Sequence, residues 1–272
     1  IGWPVAHSRS PIIHNYWLKT LNLAGEYGLL PVAPEKADDY FQSFENHGLI
    51  GANVTVPYKE VAFRCVNETD EISKRLGSVN TLYVKNGKVC ATSTDGYGFL
   101  QHLKHAVDGW STKDKSIVLI GAGGAARAIA GALIDEGAAQ IIVCNRTLTK
   151  AETFAKDLGA PVSAANWDHR HDILREADQL VNTTSLGMTG NSDLDLLLNK
   201  LPTSAVVYDI VYTPLETSLL KNAAKRGHRC VDGLGMLLHQ AVPGFELWFG
   251  QKPEVTEELR ALVIGSLTAD CT

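Results

Sequence analysis

Cysteine is sparse in this chain and poorly placed for structural chemistry. Among 272 residues there are five: Cys65, Cys90, Cys144, Cys230 and Cys271. Their number is odd and no C-x-x-C spacing occurs. That argues against a disulfide framework or a thiolate zinc site, and for a reducing, cytoplasmic compartment. Cys144 and Cys230 lie in apolar runs and read as packed thiols. Positive charge is not in excess either: 25 Lys and Arg stand against 30 Asp and Glu, a formal net charge of −5. A nucleic-acid partner, whose phosphates need a basic surface, is therefore not expected. A small anion could still be held by a few local cations. The histidines show no pair on one helix face and no cysteine partner, so no metal site is expected. No secretory signal is legible in the opening IGWPVAHSRSP, and because the chain starts at Ile1 rather than Met, upstream residues are expected. One apolar run, residues 117–134, approaches the length of a membrane span. It contains Arg127 and a cluster of glycines where a turn belongs, so no membrane partner is expected. Internal repeats and low-complexity linkers are also lacking.

What is present is an ordinary globular balance, 45% hydrophobic and 20% charged, at a length that suits one large or two modest domains. The second half has the clearest rhythm. Short runs, SIVLI (116–120), QIIVC (140–144), PVSA (161–164), QLVNT (179–183), AVVYDI (205–210) and HRCV (228–231), alternate with amphipathic stretches such as GAARAIAGALIDEG and TKAETFAKDLG. That alternation predicts an α/β unit with a parallel, doubly wound sheet. The first half is mixed and less regular. SPIIHNYWLKTLNL predicts a helix with Ser10 as N-cap and Pro11 in its first turn. EYGLLPV predicts a strand, PEKADDYFQSFENHG a helix closed by Gly48, and TLYVKNGKVCAT a hairpin about Asn86-Gly87. In GANVTVPYKE (51–60), Val54 and Val56 alternate with Asn53 and Thr55 before Pro57 breaks the strand and Lys59 follows. The valines are expected to face a core and the polar pair a site. From Gly233, LGMLLHQAVPGFELWFG and TEELRALVIGSL predict two helices that pack back on the first half. The first domain would then be discontinuous, residues 1–95 plus about 236–272, with 96–235 as the second.

SIVLIGAGGAARA sets Gly121, Gly123 and Gly124 directly after a strand and at the start of a helix. Glycine lets the backbone turn tightly and approach a pyrophosphate, and the helix N-terminus supplies free N–H groups with partial positive charge. Ala126 stands at the third position of the G-x-G-x-x-A pattern, where a small residue allows close helix–strand packing. The competing reading is a merely structural strand–helix turn. The end of the next strand reads CNRTLTK and has no carboxylate to bond ribose hydroxyls. Arg146 can instead lie against an adenine and pair with a 2′-phosphate. Asn145 and Thr147 add neutral donors, and Lys150 a second cation one helical turn later. This favours NADP over NAD; otherwise Arg146 is a solvated surface charge. Arg127 reads as structural.

Four stretches outside this unit are rich in small polar donors: HSRSPIIHN (7–15), NVTVPYK (53–59), GSVNT (77–81) and STDGYGF (93–99). With GAGGAARA, NRT, VNTTSLGM, YDIVYTPLET and GLGMLLHQA, in order from Gly2 to about Trp248, they make a chain that resembles the shikimate dehydrogenase family. The resemblance implies an N-terminal α/β substrate domain, a Rossmann-type NADP domain and C-terminal helices on the first. It implies that Ser8 and Ser10 hold a substrate carboxylate and that Asn53, Thr55, Asn80 and Asp95 meet substrate hydroxyls. Lys59 matches the family's catalytic lysine, and Tyr212 and Gln240 match further substrate contacts. Gly121, Ala122, Gly123, Gly124 and Ala125, with Asn145, Arg146, Thr147 and Lys150, match the NADP loops. Glu71, Ile210 and Gly233 fall where the nicotinamide side can be lined. Ser93 departs from the pattern, which usually has Asn there.

The residue chemistry agrees with that resemblance. A site for a small polyol acid needs several neutral donors and acceptors, because an unpaired polar group in a dry cleft costs ~1–3 kcal/mol. The implied reaction is the reversible NADPH-dependent reduction of 3-dehydroshikimate to shikimate, in chorismate and aromatic amino-acid biosynthesis. Lys59 and Asp95 would act as its acid–base pair. Two readings compete: a related dehydrogenase acting on quinate, and a non-catalytic ligand sensor that reuses the fold. A monomer or homodimer is expected. His14, His102, His105 and His239 read as packing or capping groups, and Trp17, Phe245 and Trp248 as core.

Overall fold

The computed structural model describes residues 1–269, so Cys271 lies outside the described residues. The chain divides into two compact units, one of Ile1–Gly98 with the segment from Leu238 on, the other of Phe99–Leu237.

In the first unit, β1 (Gly51–Asn53), β2 (Glu68–Thr69), β3 (Thr81–Lys85) and β4 (Lys88–Thr92) form a sheet in the order β1-β3-β4-β2. β3 and β4 are the expected hairpin, with Lys85 opposite Lys88. Its turn residues Asn86 and Gly87 both take positive φ, 53° and 74°, as a tight two-residue turn requires. Helices α1 (Ser10–Thr20), α2 (Ala37–Gln42), α3 (Lys59–Cys65) and α4 (Glu71–Leu76) surround the sheet. Ala52, Leu82, Val89 and Ala91 of the strands pack with Phe41, Phe44, Val54, Tyr58 and Ala62 in one core.

Several local expectations fail here for physical reasons. Ser10 is the first residue of α1, not its cap; Arg9 takes the cap position and no side chain caps the helix. Residues 26–32 form no strand beyond the isolated bridge of Gly2 with Pro31. A side chain replaces the ladder: Asn15 Nδ2 donates to the Tyr27 carbonyl and Asn15 Oδ1 accepts from the Tyr27 N–H, both at 2.9 Å. The segment 34–47 is not one helix but α2 flanked by two short 3-10 turns, closed by Gly48 at φ 68°. Val54 is buried at 2%, but Val56 is 70% exposed, because β1 stops pairing at Asn53 and the alternation lapses there.

The second unit matches its sequence closely. β5 (Ser116–Ile120), β6 (Gln140–Asn145), β7 (Val162–Asn166), β8 (Gln179–Asn182), β9 (Val206–Asp209) and β10 (Arg229–Val231) form a wholly parallel sheet. Its order, β10-β9-β8-β5-β6-β7, runs outward from β5 in one direction and then from β8 in the other, the doubly wound arrangement. Both faces are covered, which is why the strands read as continuous apolar runs. Ile117 and Leu119 join Ile129, Leu133 and Phe154 on one face. Val118 and Ile120 join Leu174, Leu219 and Leu220 on the other. The helices are α5 (Asp95–Ala106), which starts in the first unit, α6 (Gly124–Asp135), α7 (Leu148–Leu158) and α8 (Ser218–Lys225). Cys144 is buried, but Cys230 is exposed and is not a packed thiol, because β10 is an edge strand.

The last two helices are α9 (Leu234–Phe249) and α10 (Glu257–Ala269). They pack within the first unit as expected. Trp248 Nε1 donates to the Leu82 carbonyl of β3 at 2.8 Å, and Trp17 Nε1 of α1 donates to the Glu254 carbonyl at 2.9 Å. A Cβ at Gly51 would lie 1.9 Å from Trp248 Nε1, so the contact of β1 with this indole requires glycine.

His14 sits wholly buried among these aromatics, stacked on Tyr27 at 4.2 Å and edge-on to Trp17 at 5.6 Å. Burial pulls its pKa from 6.5 down to about 3. The unfolded chain therefore takes up a proton that the native state refuses, and stability falls as pH drops from 6.5 toward 3. This group alone is expected to cost ~2 kcal/mol between about pH 6.5 and 5. Urea titrations at both pH values check it: His14→Phe should lose less stability on acidification than the parent chain.

Candidate active site

In the first unit, Lys59 opens α3 just after Pro57 ends the extended run, and Asp95 opens α5. The Lys59 ammonium contacts Asp95 Oδ2 directly, with the two side chains 25% and 12% exposed. The pair is shielded yet reachable. Asn80, only 3% exposed, donates from Nδ2 to the other Asp95 oxygen at 2.8 Å. The same nitrogen faces Thr94 Oγ1 at 3.0 Å and Gln240 Oε1 at 3.2 Å. Asn80 Oδ1 accepts from the Thr94 N–H at 2.8 Å and from Thr81 Oγ1 at 3.0 Å. The Asn80 carbonyl accepts from the Val54 N–H at 2.8 Å.

Asn53, at the end of β1, hangs on the same residue: its Nδ2 donates to the Asn80 carbonyl at 3.3 Å and to Thr81 Oγ1 at 3.2 Å. Asn53, Lys59, Asn80, Asp95 and Gln240 therefore form one hydrogen-bonded cluster. Because Ser10 does not cap α1, its hydroxyl is not tied to the helix end; its N–H donates to Ser8 Oγ at 3.3 Å. Thr55 is half-buried two residues beyond β1 and makes no side-chain hydrogen bond to the cluster. Glu71 stands apart, exposed in the first turn of α4 and paired with Lys74 at 2.7 Å. Tyr27 is a participant that sequence reasoning missed: its hydroxyl donates to Asn53 Oδ1 at 2.7 Å. It is a lone aromatic in irregular chain, with no local signal.

In the second unit, Gly121 takes φ 109°, and a Cβ there would lie 2.7 Å from Thr183 Oγ1. Gly123 precedes α6 with extended backbone, and a Cβ on it would meet nothing within 4 Å. No side chain caps α6, so its first-turn N–H groups are left for a ligand. Ala126 is fully buried. Asn145 Nδ2 donates to the Thr147 carbonyl at 2.9 Å and holds the turn after β6. Arg146 and Lys150 are exposed and have no carboxylate partner among the described residues. Arg127 is structural: it pairs with Asp157 at 2.9 Å and lies 5.3 Å over the Phe154 ring. A Cβ at Gly233 would stand 2.1 Å from the Ile210 carbonyl oxygen.

Two more residues were missed. Asp209 and Asn182, at the ends of β9 and β8, are fully buried. Asp209 accepts from Asn182 Nδ2 at 2.9 Å, the Val211 N–H at 3.0 Å and Thr217 Oγ1 at 2.7 Å. Burial raises the Asp209 pKa, and these three hydrogen bonds oppose the rise. Asn182 Oδ1 in turn accepts from Thr184 Oγ1 at 2.7 Å. The network fixes the loops that follow both strands, one of which carries Ile210 and Tyr212. Its signal was a polar residue closing an otherwise apolar run.

Three family models match in order: the shikimate dehydrogenase substrate binding domain over residues 1–82, shikimate / quinate 5-dehydrogenase over 102–213, and the shikimate 5′-dehydrogenase C-terminal domain over 233–263. The chain belongs to the shikimate dehydrogenase family. It is 50% identical over 265 residues to the NADP(+) shikimate dehydrogenase of Paramagnetospirillum magneticum, covering 97% of this chain and 96% of the relative. Among solved structures it is similar to shikimate 5-dehydrogenase from Thermus thermophilus in complex with NADP(H) and shikimate, at 32% identity and a TM-score of 0.85, covering 98% and 97% of the two chains. It is also similar to quinate dehydrogenase from Corynebacterium glutamicum in complex with NAD, at 28% identity and a TM-score of 0.89, covering 97% and 96%. As a shikimate dehydrogenase the chain is an NADP-dependent oxidoreductase that interconverts 3-dehydroshikimate and shikimate. Among the described residues, no helix is long and apolar enough to cross a membrane.

The glycine loop after β5 of this shikimate dehydrogenase separates two uses of glycine. Gly121→Ala is expected to lower folding stability by ~1–3 kcal/mol, from positive φ and the Thr183 clash. Gly123→Ala, at the N-cap of α6 with nothing within 4 Å of its Cβ, is expected to cost no more than about 1 kcal/mol of stability, and, on the expectation that pyrophosphate approaches that open space, to weaken NADPH binding at least ~10-fold. Thermal melts and fluorescence titration with NADPH separate the two.

Proposed function

We propose that Lys59 and Asp95 are the acid–base pair of this shikimate dehydrogenase. NADPH, when bound, supplies the hydride that reaches the ketone carbon of 3-dehydroshikimate. The Lys59 ammonium gives a proton to the oxygen of that carbon as its charge develops, and the hydroxyl of shikimate results. In the reverse direction Lys59, with Asp95 against it, takes the hydroxyl proton. Asp95 orients the ammonium, and Asn80 holds Asp95 through its second oxygen. The observation that carries this reading is the direct, partly exposed Lys59–Asp95 contact within a cluster of neutral donors and acceptors.

The same reading places the substrate carboxylate on Ser8 and Ser10. Its hydroxyls meet Asn53, Thr55, Asn80 and Asp95, with Tyr212 and Gln240 as further contacts. Hydroxyl donors hold a carboxylate with less electrostatic gain than an arginine would, so geometry has to carry the selectivity. Gly121 to Ala125 face the pyrophosphate, while Asn145, Arg146, Thr147 and Lys150 receive the 2′-phosphate end. Glu71, Ile210 and Gly233 line the nicotinamide side. The unit containing residues 1–98 serves as the substrate domain and residues 99–237 as the NADP domain. The enzyme is cytoplasmic in this reading, consistent with an odd number of cysteines and with the four described ones all being free.

Two experiments test these assignments. Lys59→Ala and Asp95→Asn should each lower kcat by ~10²–10⁴-fold while NADP binding stays intact. Near-native turnover with an unchanged pH profile in either variant refutes the pair. Arg146→Ala and Lys150→Ala should each reduce the preference for NADP over NAD by ~10–100-fold, the worth of a charge-assisted hydrogen bond. Steady-state efficiencies with both cofactors, on shikimate and on quinate, measure it. A parent enzyme that favours NAD would overturn the role given to these cations.

A further inference from the structure

A cavity of about 510 Å³ lies within the first unit, among the β3–β4 hairpin, α4, α9 and the start of α5. That is the size of a small-molecule site. None of its lining residues belongs to the substrate or NADP sets. Part of the wall is apolar: Ile72, Pro243 and Leu247, with the half-buried phenol rings of Tyr83 and Tyr97 beside them. Ser93 also lines it. That residue is only 8% exposed, and its hydroxyl has no hydrogen-bond partner among the described residues. A hydroxyl so shielded from water is costly to leave unpaired, and it is open to a polar group that enters the cavity.

The charge on the cavity is of one sign. Asp70 and Glu246 line it, and no basic residue does. Both oxygens of Asp70 are engaged, Oδ1 by the Ser73 N–H at 2.8 Å and Oδ2 by Thr92 Oγ1 at 2.6 Å. Asp70 therefore contributes field more than contact. Glu246 is exposed, and its carboxylate has no partner among the described residues. The field reaches the wall itself: the Tyr83 phenol is pushed up first by burial and then by neighbouring negative groups, Asp70 among them.

We propose that this cavity is a second ligand site, for a small aromatic ammonium that carries a hydroxyl. Each part of such a molecule has a counterpart. The ring buries against the apolar and phenol surface, which also attracts a cation. The ammonium, with three donors, meets the free Glu246 carboxylate inside the field of Asp70. The hydroxyl pairs with Ser93. A carboxylate of the same shape would face two like charges and no cation, so the site selects by charge. An occupant bonded to Ser93 is separated from Asp95 by Thr94 alone, whose N–H and Oγ1 are both bonded to Asn80.

The test is an NMR titration with tyramine, following the backbone amides of Ser93, Thr94 and Tyr97. Saturable shifts are expected, with Kd on the order of 1 mM or tighter for a ligand this small. The anion of the same body, 3-(4-hydroxyphenyl)propionate, should give none. Glu246→Gln should weaken tyramine at least ~5-fold, and Ser93→Ala ~2–10-fold. Both variants should turn over shikimate within about twofold of the parent, which shows that they are folded. Saturating shikimate, and separately NADPH, should leave tyramine bound. The proposal is overturned if no saturable shift appears by ~10 mM tyramine, or if the anion binds as well. It is also overturned if neither variant weakens binding, or if shikimate or NADPH displaces the probe. The placement of shikimate and NADP is untouched by any of these failures except the last, which assigns tyramine to those sites.

Discussion

The buried amide of Asn80 is the constraint on which the first unit's site depends. At 3% exposure its polar atoms have almost no water to turn to, and each unmet one costs ~1–3 kcal/mol. They are met by Thr81 on β3, by Thr94 and Asp95 at the entry to α5, and by Gln240 on α9. Elements distant in sequence are thereby held against one side chain. If Asp95 moved, Asn80 would lose its shortest acceptor, and Lys59 is held against Asp95. The backbone of Asn80 extends the same constraint to β1, through Val54 and Asn53. A polar network this complete rigidifies its members, which is what an acid–base pair needs from its surroundings.

The second unit uses the same device with a different centre. Asp209 and Asn182 close largely apolar strands, and they bond each other and the loops beyond them. A carboxylate in that position is costly, as the upward push on its pKa shows, and three donors offset the cost. The result is a firm wall at the carboxyl ends of the parallel strands, where doubly wound sheets bind ligands. Arg146 and Lys150 are treated in the opposite way. They are left exposed and without carboxylate partners among the described residues, free to meet an anion.

The two units were unequally legible in the sequence. Each run read as a strand in the second unit forms one, with ends agreeing to within two residues, and SIVLI is β5 residue for residue. Parallel strands buried on both faces leave a continuous apolar signature, and helices of eleven or twelve residues such as α6 and α7 leave a periodic one. The first unit offers neither. β1 has three residues and β2 has two, too short for alternation to show, and the turn at Val56 was read as strand for that reason. EYGLLPV has the composition of a strand, but Asn15 takes up the backbone groups of Tyr27 from twelve residues away. The cluster around Lys59 was legible because its motifs are local. Tyr27 was not, because its meaning lies in Asn53, 26 residues on.

The groups that surround the Lys59–Asp95 pair, namely Asn53, Asn80, Thr94 and Gln240, are all neutral. Neutral hydrogen bonds contribute only ~1 kcal/mol each, so affinity for a polyol must come from several of them acting together. Their value is in rejection: a ligand that lacks a hydroxyl leaves a buried donor or acceptor unpaired, and that penalty exceeds the bond's own worth. Discrimination then depends on which atom of each amide faces the ligand. A flipped Asn53 would set two oxygens against each other at the Asn80 carbonyl. The main chain of one strand end therefore fixes the orientation of the Asn53 amide, and the phenol of Tyr27 holds it from an irregular segment.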